Sequence, residues 1–349
     1  MNDLIAAICP AADEKIRAET ERHLNALTKP PGSLGRLEEI AVRYCLCKGT
    51  SAPPKPSMTV FTFAGDHGIT AEAVTPYPKE VTRQMVLNMV RGGAAASVMC
   101  RTAGIGYSVV DMGVDADFTG VEGVIDRKVG RGTKNFCVTA AMEPAECETA
   151  MRYGYDLIAG SDADLVGVGE MGIGNSSSAA ALYAMLLNID DAGRTVGPGT
   201  GSAGEVFQRK VDAVRRGVAL HRSQWDGSPF EALRRVGGFE ICGMVGAILG
   251  GAAKRVPVVV DGFIAGAAGC AASRITPAVR DYIFYSHASA ETFHREFLRI
   301  EGVRPILDLD LRLGEGTGAI LAMQIIAQAI ACYTEMATFS SAGVSDKNV

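Results

Sequence analysis

The segment Leu165–Leu187, LVGVGEMGIGNSSSAAALYAMLL, contains the pattern that decides the fold. Its first part, Leu165–Glu170, is a short apolar run typical of a buried strand. A glycine-rich turn follows, and the Ala- and Leu-rich stretch Ser176–Leu187 predicts a helix. A strand that leads through a glycine turn into a helix is the unit from which parallel α/β sheets are built.

The same succession of strand and helix recurs along the chain. Further strand-like runs are expected at residues 58–64, 107–112 and 256–261, and helical patterns separate them. Strands joined through helices imply right-handed crossovers, and near-continuous apolar strands indicate a sheet that is covered on both faces. The predicted fold class is therefore α/β, with a Rossmann-like parallel sheet flanked by helices.

The two ends of the chain read as helices without strands. We expect helices at Ala11–Leu27 and Leu34–Cys47, the second capped by Ser33, and an apolar helix at Gly318–Met336. We therefore predict a small helical domain from residues 1–50 and 320–349. Residues 51–319 form the predicted large α/β domain.

Composition excludes several classes of protein. The formal net charge of −5 argues against a sequence-independent nucleic-acid binder. The N-terminus lacks the basic region of a secretory signal, and apolar stretches such as Cys242–Ala253 are expected to be too short for a bilayer. Nine cysteines without a CxxC pair, and the absence of HExxH, predict buried thiols and no metal site. We expect a cytoplasmic protein with no membrane or nucleic-acid partner.

Polar, glycine-rich segments fall where predicted strands end or helices begin. Ligands of open parallel sheets bind at the carboxyl ends of strands. The five segments of this kind are Gly65–Gly68, Gly169–Ser176, Gly197–Ser202, Asp261–Gly262 and Leu313–Gly318.

One of these segments matches a dinucleotide fingerprint. Gly167, Gly169 and Gly172 have GxGxxG spacing, and Asp190-Asp191 lies about 20 residues further on. However, Gly167 is expected inside the strand, and the two aspartates follow a helix directly. The pattern favours a phosphate at the N-terminus of the following helix. An NAD(P)-dependent oxidoreductase stays open as the alternative function, and a simple glycine turn as the structural one.

Two carboxylates are candidates for acid–base chemistry. Glu315 stands between glycines ahead of an apolar helix, and Glu170 ends a buried strand. Apolar surroundings would raise the pKa of either group toward the range of a general base. A carboxylate at a helix N-terminus can instead only stabilise the helix dipole. For Asp66-His67 we expect a structural hydrogen-bonding role.

Two further polar segments are interpreted as non-catalytic. Ser286–Glu291 holds hydroxyls and a histidine, but it lacks the GxSxG elbow of a nucleophilic serine. Leu307–Leu313 alternates leucine with charged residues, and this pattern predicts an exposed strand face rather than a metal site.

The chain resembles one enzyme family over nearly its whole length. The motifs KPPGSLGRLE (29–38), FAGDHGI (63–69), GEMGIGNSSSAAAL (169–182), DGFIAGAA (261–268), SHASAE (286–291) and RLGEGTGA (312–319) occur in the family's order. Together they resemble the nicotinate-nucleotide–dimethylbenzimidazole phosphoribosyltransferases.

The resemblance implies a reaction and its acid–base groups. Members of this family move phosphoribose from nicotinate mononucleotide to 5,6-dimethylbenzimidazole, which gives α-ribazole 5′-phosphate and nicotinate for the lower ligand of cobalamin. Glu315 matches the catalytic base of the family, and Glu170 matches its second carboxylate. The family is cytoplasmic and homodimeric, with a Rossmann-like sheet and a small helical domain, and needs no metal or organic cofactor.

The resemblance also implies the residues that bind substrate. Those expected around the nucleotide are Gly172, Gly174, Asn175, Ser176, Lys210, Asp261, Gly262 and Ser289. Among them, Lys210 and Ser289 are expected to bind the phosphate. Gln84 matches a residue of the benzimidazole pocket, whereas the nearby Thr75–Pro78 segment leaves the preferred base open among benzimidazoles, adenine and phenols. A catalytically silent ligand carrier is a further alternative, which the two carboxylates disfavour.

Overall fold

The computed structural model describes residues 5–345, and its centre is one sheet of six parallel strands. Their spatial order is β3-β2-β1-β4-β5-β6, the doubly wound order. The strands are Met58–Gly65 (β1), Gly106–Gly113 (β2), Val124–Asp126 (β3), Leu165–Met171 (β4), Val258–Val260 (β5) and Ile283–Tyr285 (β6). The predicted fold class is confirmed.

Helices cover both faces of the sheet. They are Glu14–Ala26 (α1), Arg36–Lys48 (α2), Glu80–Val90 (α3), Ala95–Ala103 (α4), Pro144–Ala159 (α5), Asn175–Leu186 (α6), Gly204–Arg222 (α7), Pro229–Val236 (α8), Phe239–Ala253 (α9), Phe263–Ile275 (α10), His294–Ile300 (α11), Thr317–Glu335 (α12) and Phe339–Ala342 (α13). Three short 3₁₀ turns lie at Gly68–Glu72, Ala192–Thr195 and Pro277–Tyr282.

The tightest helix pair on the sheet is α5 against α9, and small residues permit it. A Cβ at Gly154 of α5 would lie 1.8 Å from the Gly243 carbonyl oxygen of α9, so no larger residue fits there. The backbones therefore touch, and α9 in turn packs on β1, β2, β4 and β5. This explains why the glycine-rich, apolar sequence of α9 forms a buried helix.

Helix α12 departs from one expectation. Its 19 residues are long and apolar enough, by length and composition alone, to cross a membrane, although apolar stretches were expected to be too short. Its buried side chains, including Ile320, Met323 and Ile326, belong to the main core, where α12 packs on β1, β4, β5, α2 and α4. Its apolar composition thus serves the interior of this fold.

The two ends of the described chain meet. The Thr28 N–H donates to the Ala337 carbonyl oxygen, Leu27 and Thr338 form an antiparallel bridge, and α2 packs along α12. The N-terminal and C-terminal helices share one apolar cluster with the sheet. The division into domains at residues 50 and 320 stays a prediction.

Three local predictions differ from the structure. Strands β3 and β6, of three residues each, were not predicted because so short a run has no measurable periodicity. The expected strand at Leu307–Leu313 is wrong: only Leu307 forms a bridge, to His287, and the rest is irregular. The cap of α2 is Gly35 rather than Ser33, and it has no side-chain hydrogen bond.

Candidate active site

The candidate site lies where the strand order reverses, between β1 and β4. At this switch point the loops after the two strands diverge and leave a crevice at their carboxyl ends. The loop before α12 enters the same crevice, because the Glu315 N–H donates to the Glu170 carbonyl oxygen at 3.1 Å. The polar segments after β1 and β4 and before α12 are therefore neighbours in space.

Glu315 lies in a backbone conformation that non-glycine residues rarely adopt. Its φ is +63°, and both flanking glycines also have positive φ. The loop rests directly on β4: a Cβ at Gly169 would lie 2.2 Å from the Gly316 nitrogen. The glycines on both sides of the contact therefore fix where the Glu315 carboxylate can lie.

Asp261 holds this loop from the end of β5. Its Oδ2 accepts a hydrogen bond from the Gly316 N–H at 3.0 Å, and Oδ1 accepts from Gly318 at 2.9 Å and Ala319 at 3.1 Å. The side chain therefore caps α12 from outside the helix. Asp261 was expected among the nucleotide ligands, but the structure gives both of its oxygens to protein backbone.

The Glu315 carboxylate points at the first turn of α4. Its Oε2 accepts a hydrogen bond from the Ala96 N–H at 3.1 Å. Burial raises the pKa of Glu315; the Ala96 N–H lowers it, and the charge of Asp261 raises it. A helix N-terminus favours the ionised form. Glu315 is thus a buried carboxylate with a raised pKa and a partner that supports its charge.

Glu170 is the second buried carboxyl group, and its environment differs. Its pKa is raised to about 8, chiefly by burial and in smaller part by the charges of Asp261, Glu240 and Glu315. Asn175, at the start of α6, donates to its Oε2 and opposes that rise. Near neutral pH, Glu170 therefore retains a proton.

Lys210 reaches the site from α7 and is almost fully buried. Its Nζ donates to Ser176 Oγ at 2.9 Å and to the Gly197 carbonyl oxygen at 2.8 Å. Burial lowers the pKa of Lys210 to about 8, against the charge of Glu291, which raises it. A buried lysine with only neutral hydrogen-bond partners is a fitting counter-charge for an anion.

A cleft beside this crevice brings together six of the predicted residues. Those that line it are Glu170, Gly172, Asn175, Ser176, Gly262 and Ser289. The N-termini of α6 and α10 both open onto it. Asp261, Gly174, Lys210 and Glu315 lie outside this lining, and Gln84 is exposed on α3.

The cleft also contains residues that the sequence did not single out individually. They are Met171, Ile173, Gly199, Thr200, Phe263, Ile264, His287, Glu291, Arg312, Leu313 and Gly314. Several belong to segments that were noted as glycine-rich or polar. Glu291 is the last residue of the SHASAE motif, but a single acidic residue after two serines does not itself predict a buried carboxylate.

The Asp66-His67 pair has the structural role that was expected. His67 Nε2 lies 2.7 Å from Glu240 Oε1, and Nδ1 lies 3.0 Å from Ser178 Oγ. Asp66 Oδ2 accepts from the Asp115 N–H at 2.8 Å. The imidazole therefore ties the loop after β1 to α6 and α9, behind the cleft.

The dinucleotide alternative is not supported by the geometry. Gly167 lies inside β4, paired with Val60 of β1 and Val259 of β5. Asp191 begins a 3₁₀ turn and forms an ion pair with Arg215 on the surface. Within residues 5–345, no three His, Cys, Asp or Glu side chains are grouped so that they could hold a metal ion.

Known proteins resemble this chain in sequence and in overall structure. The family model described as "Phosphoribosyltransferase" matches residues 9–344. Proteins named nicotinate-nucleotide–dimethylbenzimidazole phosphoribosyltransferase are similar along the whole chain. The protein from Chlorobium chlorochromatii is 48% identical over 99% of this chain and 98% of its own. That from Geobacter sp. strain M21 is 45% identical over 99% of each.

Solved structures are similar as well. The crystal structure of CobT from Thermus thermophilus superposes with a TM-score of 0.90 at 41% identity, covering 95% of this chain and 100% of that one. Identity at this level over the full length, together with a shared fold, exceeds what the fold alone would give. The chain belongs to the nicotinate-nucleotide–dimethylbenzimidazole phosphoribosyltransferase family.

Proposed function

We propose that this enzyme transfers the phosphoribosyl group of nicotinate mononucleotide to 5,6-dimethylbenzimidazole or a related base, for the lower ligand of cobalamin. One observation carries the proposal for the site: two residues with buried carboxyl groups, Glu315 and Glu170, are joined by a backbone hydrogen bond at the switch point of the sheet, and the charge of Glu315 raises the pKa of Glu170. Environments that hold two neighbouring carboxyls in different protonation states divide acid and base roles between them.

The departure of nicotinate needs little help from the protein. The glycosidic nitrogen of the substrate is a pyridinium cation, and nicotinate takes the bonding electron pair as it leaves. The acceptor presents the opposite difficulty, since a neutral benzimidazole becomes cationic when its nitrogen attacks C1′. The protein must therefore remove a proton from the acceptor rather than supply one to the leaving group.

Glu315 is the proposed base. One ring nitrogen of the acceptor bonds to C1′, and the proton on the other nitrogen passes to the Glu315 carboxylate. The Ala96 N–H supports the ionised form before the reaction, while burial raises the pKa and so favours taking up the proton. Attack opposite the departing nicotinate inverts the anomeric centre from β to α.

Glu170 is proposed to face the sugar during transfer. Its retained proton in the empty site follows from burial and the surrounding negative charges. The pyridinium cation of the bound nucleotide would lower that pKa and favour the ionised form. Glu170 can then stabilise the positive charge that develops at C1′.

The remaining nucleotide ligands stay proposals. The N-terminus of α6, with Gly172, Gly174, Asn175 and Ser176, suits the phosphate, because backbone N–H groups and the helix dipole both favour an anion. Lys210 places a buried positive charge beside this helix end, where its Nζ donates a hydrogen bond to Ser176 Oγ. Ser289 and Gly262, at the start of α10, border the same cleft.

The acceptor side is proposed to lie toward α3. This helix carries Gln84 and contributes Val86 and Met89 to a separate apolar cluster against β2. The segment Thr75–Pro78 lies beside it and contacts the nucleotide side, where Thr75 Oγ1 is 3.3 Å from Thr200 Oγ1. The preferred base depends on this segment. A homodimer in the cytoplasm, with no metal or organic cofactor, is part of the same proposal.

The deciding experiment offers the enzyme nicotinate mononucleotide with a panel of benzimidazoles, adenine and phenols, and identifies the products by mass. We expect an α-ribazole 5′-phosphate and stoichiometric nicotinate. Absence of product with every base would favour a silent carrier. In a parallel titration we expect no specific NAD(P)H binding, whereas saturable binding would restore the oxidoreductase alternative.

A further inference from the structure

Glu291 is a buried carboxylate in the cleft that has no assigned role. It lies between β6 and α11, and only 4% of the residue is exposed. Neither of its oxygens has a hydrogen bond of standard geometry within the described part of the chain. Burying a charged group without such partners is costly, so its presence in a ligand cleft calls for an explanation.

The surroundings hold this side chain in place without satisfying it. The Glu291 N–H donates to Ser289 Oγ at 3.2 Å, which fixes the backbone. A Cβ at Gly197 would lie 1.9 Å from Glu291 Oε2, so the loop before α7 closes tightly over the carboxylate. The side chain is therefore held in place, and the residue forms part of the cleft lining.

Nearby charges compensate Glu291 in part. Burial raises its pKa, whereas the charges of Lys210 and Arg312 and the neighbouring Gly199 N–H lower it. Lys210 directs its hydrogen bonds to Ser176 and Gly197 rather than to Glu291. The carboxylate thus has positive charge close by, and its one neighbouring donor, the Gly199 N–H, does not reach standard hydrogen-bond geometry.

The chemistry of the nucleotide indicates which donors are missing. The phosphate and the nicotinate carboxylate present acceptor oxygens, which a buried carboxylate repels. The ribose presents two adjacent hydroxyls, and each can donate to one carboxylate oxygen. The acceptor base has its own proton acceptor in Glu315.

We propose that Glu291 binds the ribose of the nucleotide by accepting hydrogen bonds from its 2′- and 3′-hydroxyls. Glu291 is then a specificity residue that selects ribosyl over deoxyribosyl substrates. This role rests on the proposed function, because it takes nicotinate mononucleotide as the occupant of the cleft.

The test combines Glu291→Gln with 2′-deoxy and 3′-deoxy nicotinate mononucleotide. In the wild type, removal of a contacted hydroxyl should lower kcat/KM about 10- to 100-fold, as expected for a hydrogen bond to a charged group. Glu291→Gln should lose a similar factor with the ribosyl substrate. Removing the same hydroxyl from that variant should then cost less than about 3-fold, since the interaction is already gone.

Two further measurements separate a binding role from a structural one. Unliganded Glu291→Gln should melt at or above the wild-type temperature, because a buried unsatisfied charge has been removed. Inorganic phosphate should inhibit the variant at least as well as the wild type. Glu296→Gln, on α11 with an exposed partner in Arg194, is the matched control and should behave as the wild type in every assay.

Several outcomes would overturn the proposal. The proposal fails if the wild-type enzyme uses both deoxy substrates with the same kcat/KM as the ribosyl substrate. This result needs no variant, so it counts even if Glu291→Gln does not fold. Additive losses in the cycle, or weaker phosphate inhibition of the variant, would place Glu291 elsewhere. If the wild type forms no α-ribazole phosphate at all, the proposed function fails instead.

Discussion

The carboxyl edge of the sheet and the N-terminal helical pair, α1 with α2, differ in how their buried carboxylates are paired. In residues 5–345, the four buried carboxylate oxygens without a hydrogen bond belong to Asp66, Glu240 and Glu291, all at the carboxyl edge. In the helical pair, Glu38 accepts from Lys29 Nζ at 2.8 Å and from the Leu34 N–H at 3.0 Å. Of the three residues, Glu291 lines the cleft, where a ligand can pair with it, whereas Asp66 and Glu240 lie behind the cleft.

The difference shows where the folded protein gives up stability in order to bind substrate. An unpaired buried charge destabilises the empty protein, whereas the same group paired by substrate stabilises the complex. Substitutions at the carboxyl edge should therefore affect turnover more than stability. Substitutions in the helical pair should do the reverse.

The largest effect is expected for Glu315→Gln. Loss of the base should lower kcat about 10²- to 10⁴-fold, while the KM for nicotinate mononucleotide changes little, because the nucleotide does not need the proton acceptor. Steady-state assays measure both constants. Glu335→Gln, exposed at the C-terminal end of α12, the helix that follows the Glu315 loop, is the control. Near-normal turnover of Glu315→Gln would refute its assignment as the base.

Lys210→Met should raise the KM for nicotinate mononucleotide by about 10- to 100-fold, because a charge-assisted contact to the phosphate is lost. The KM for the acceptor base should stay within about 3-fold of the wild-type value. Arg215→Met, on the same helix but in an exposed ion pair, should leave both constants unchanged. Equal effects of Lys210→Met on both substrates would remove Lys210 from the phosphate site.

Glu170→Gln tests whether a buried carboxyl group at the carboxyl edge makes the stability of the protein depend on pH. The folded pKa is about 8 against an ordinary value near 4.5, so the proton stabilises the folded state at low pH. That contribution is lost as the pH rises through 8. Between pH 6 and pH 8 the wild type should therefore lose about 2 kcal/mol of unfolding free energy more than Glu170→Gln does. Denaturant titrations at both pH values measure this, and parallel pH dependences would show that Glu170 is ionised throughout.

Lys29→Met should have the smallest effect, and it should change stability rather than turnover. Removing one partner of a mostly buried ion pair should lower the free energy of unfolding by about 1–2 kcal/mol. Activity at saturating substrate should match that of the wild type at a temperature where both are folded. Lys15→Met, exposed on α1, provides the matched control. A drop in kcat with unchanged stability would mean that the helical pair takes part in the site.

Much of the fold was predictable because its main elements are long and strongly patterned. Strands β1, β2 and β4 and the helices around them follow from apolar runs and glycine turns. Strands β3 and β6 did not, since three residues have no measurable periodicity, and each of these edge strands is defined only by pairing with one neighbour. The segment at Leu307 alternates like a strand, yet it finds a partner at a single residue.

The site was predictable in its parts but not in its connections. Motifs gave Glu170 and Asp261 as polar residues at strand ends, and Glu315 as a carboxylate ahead of an apolar helix. That Asp261 caps α12 and fixes the Glu315 loop depends on a contact between segments more than fifty residues apart. The unsatisfied state of Glu291 likewise depends on what packs around it, which no local pattern encodes.

The left-handed backbone of Glu315 sets a limit on how this enzyme can be made more robust. Such a conformation costs a non-glycine residue of the order of 1–3 kcal/mol. Glycine would relieve that cost at position 315, and selection for heat resistance alone would therefore reward the loss of the carboxylate. A selection for thermostable variants of this protein must therefore measure turnover at every round, because a screen for stability alone would favour the inactive glycine variant.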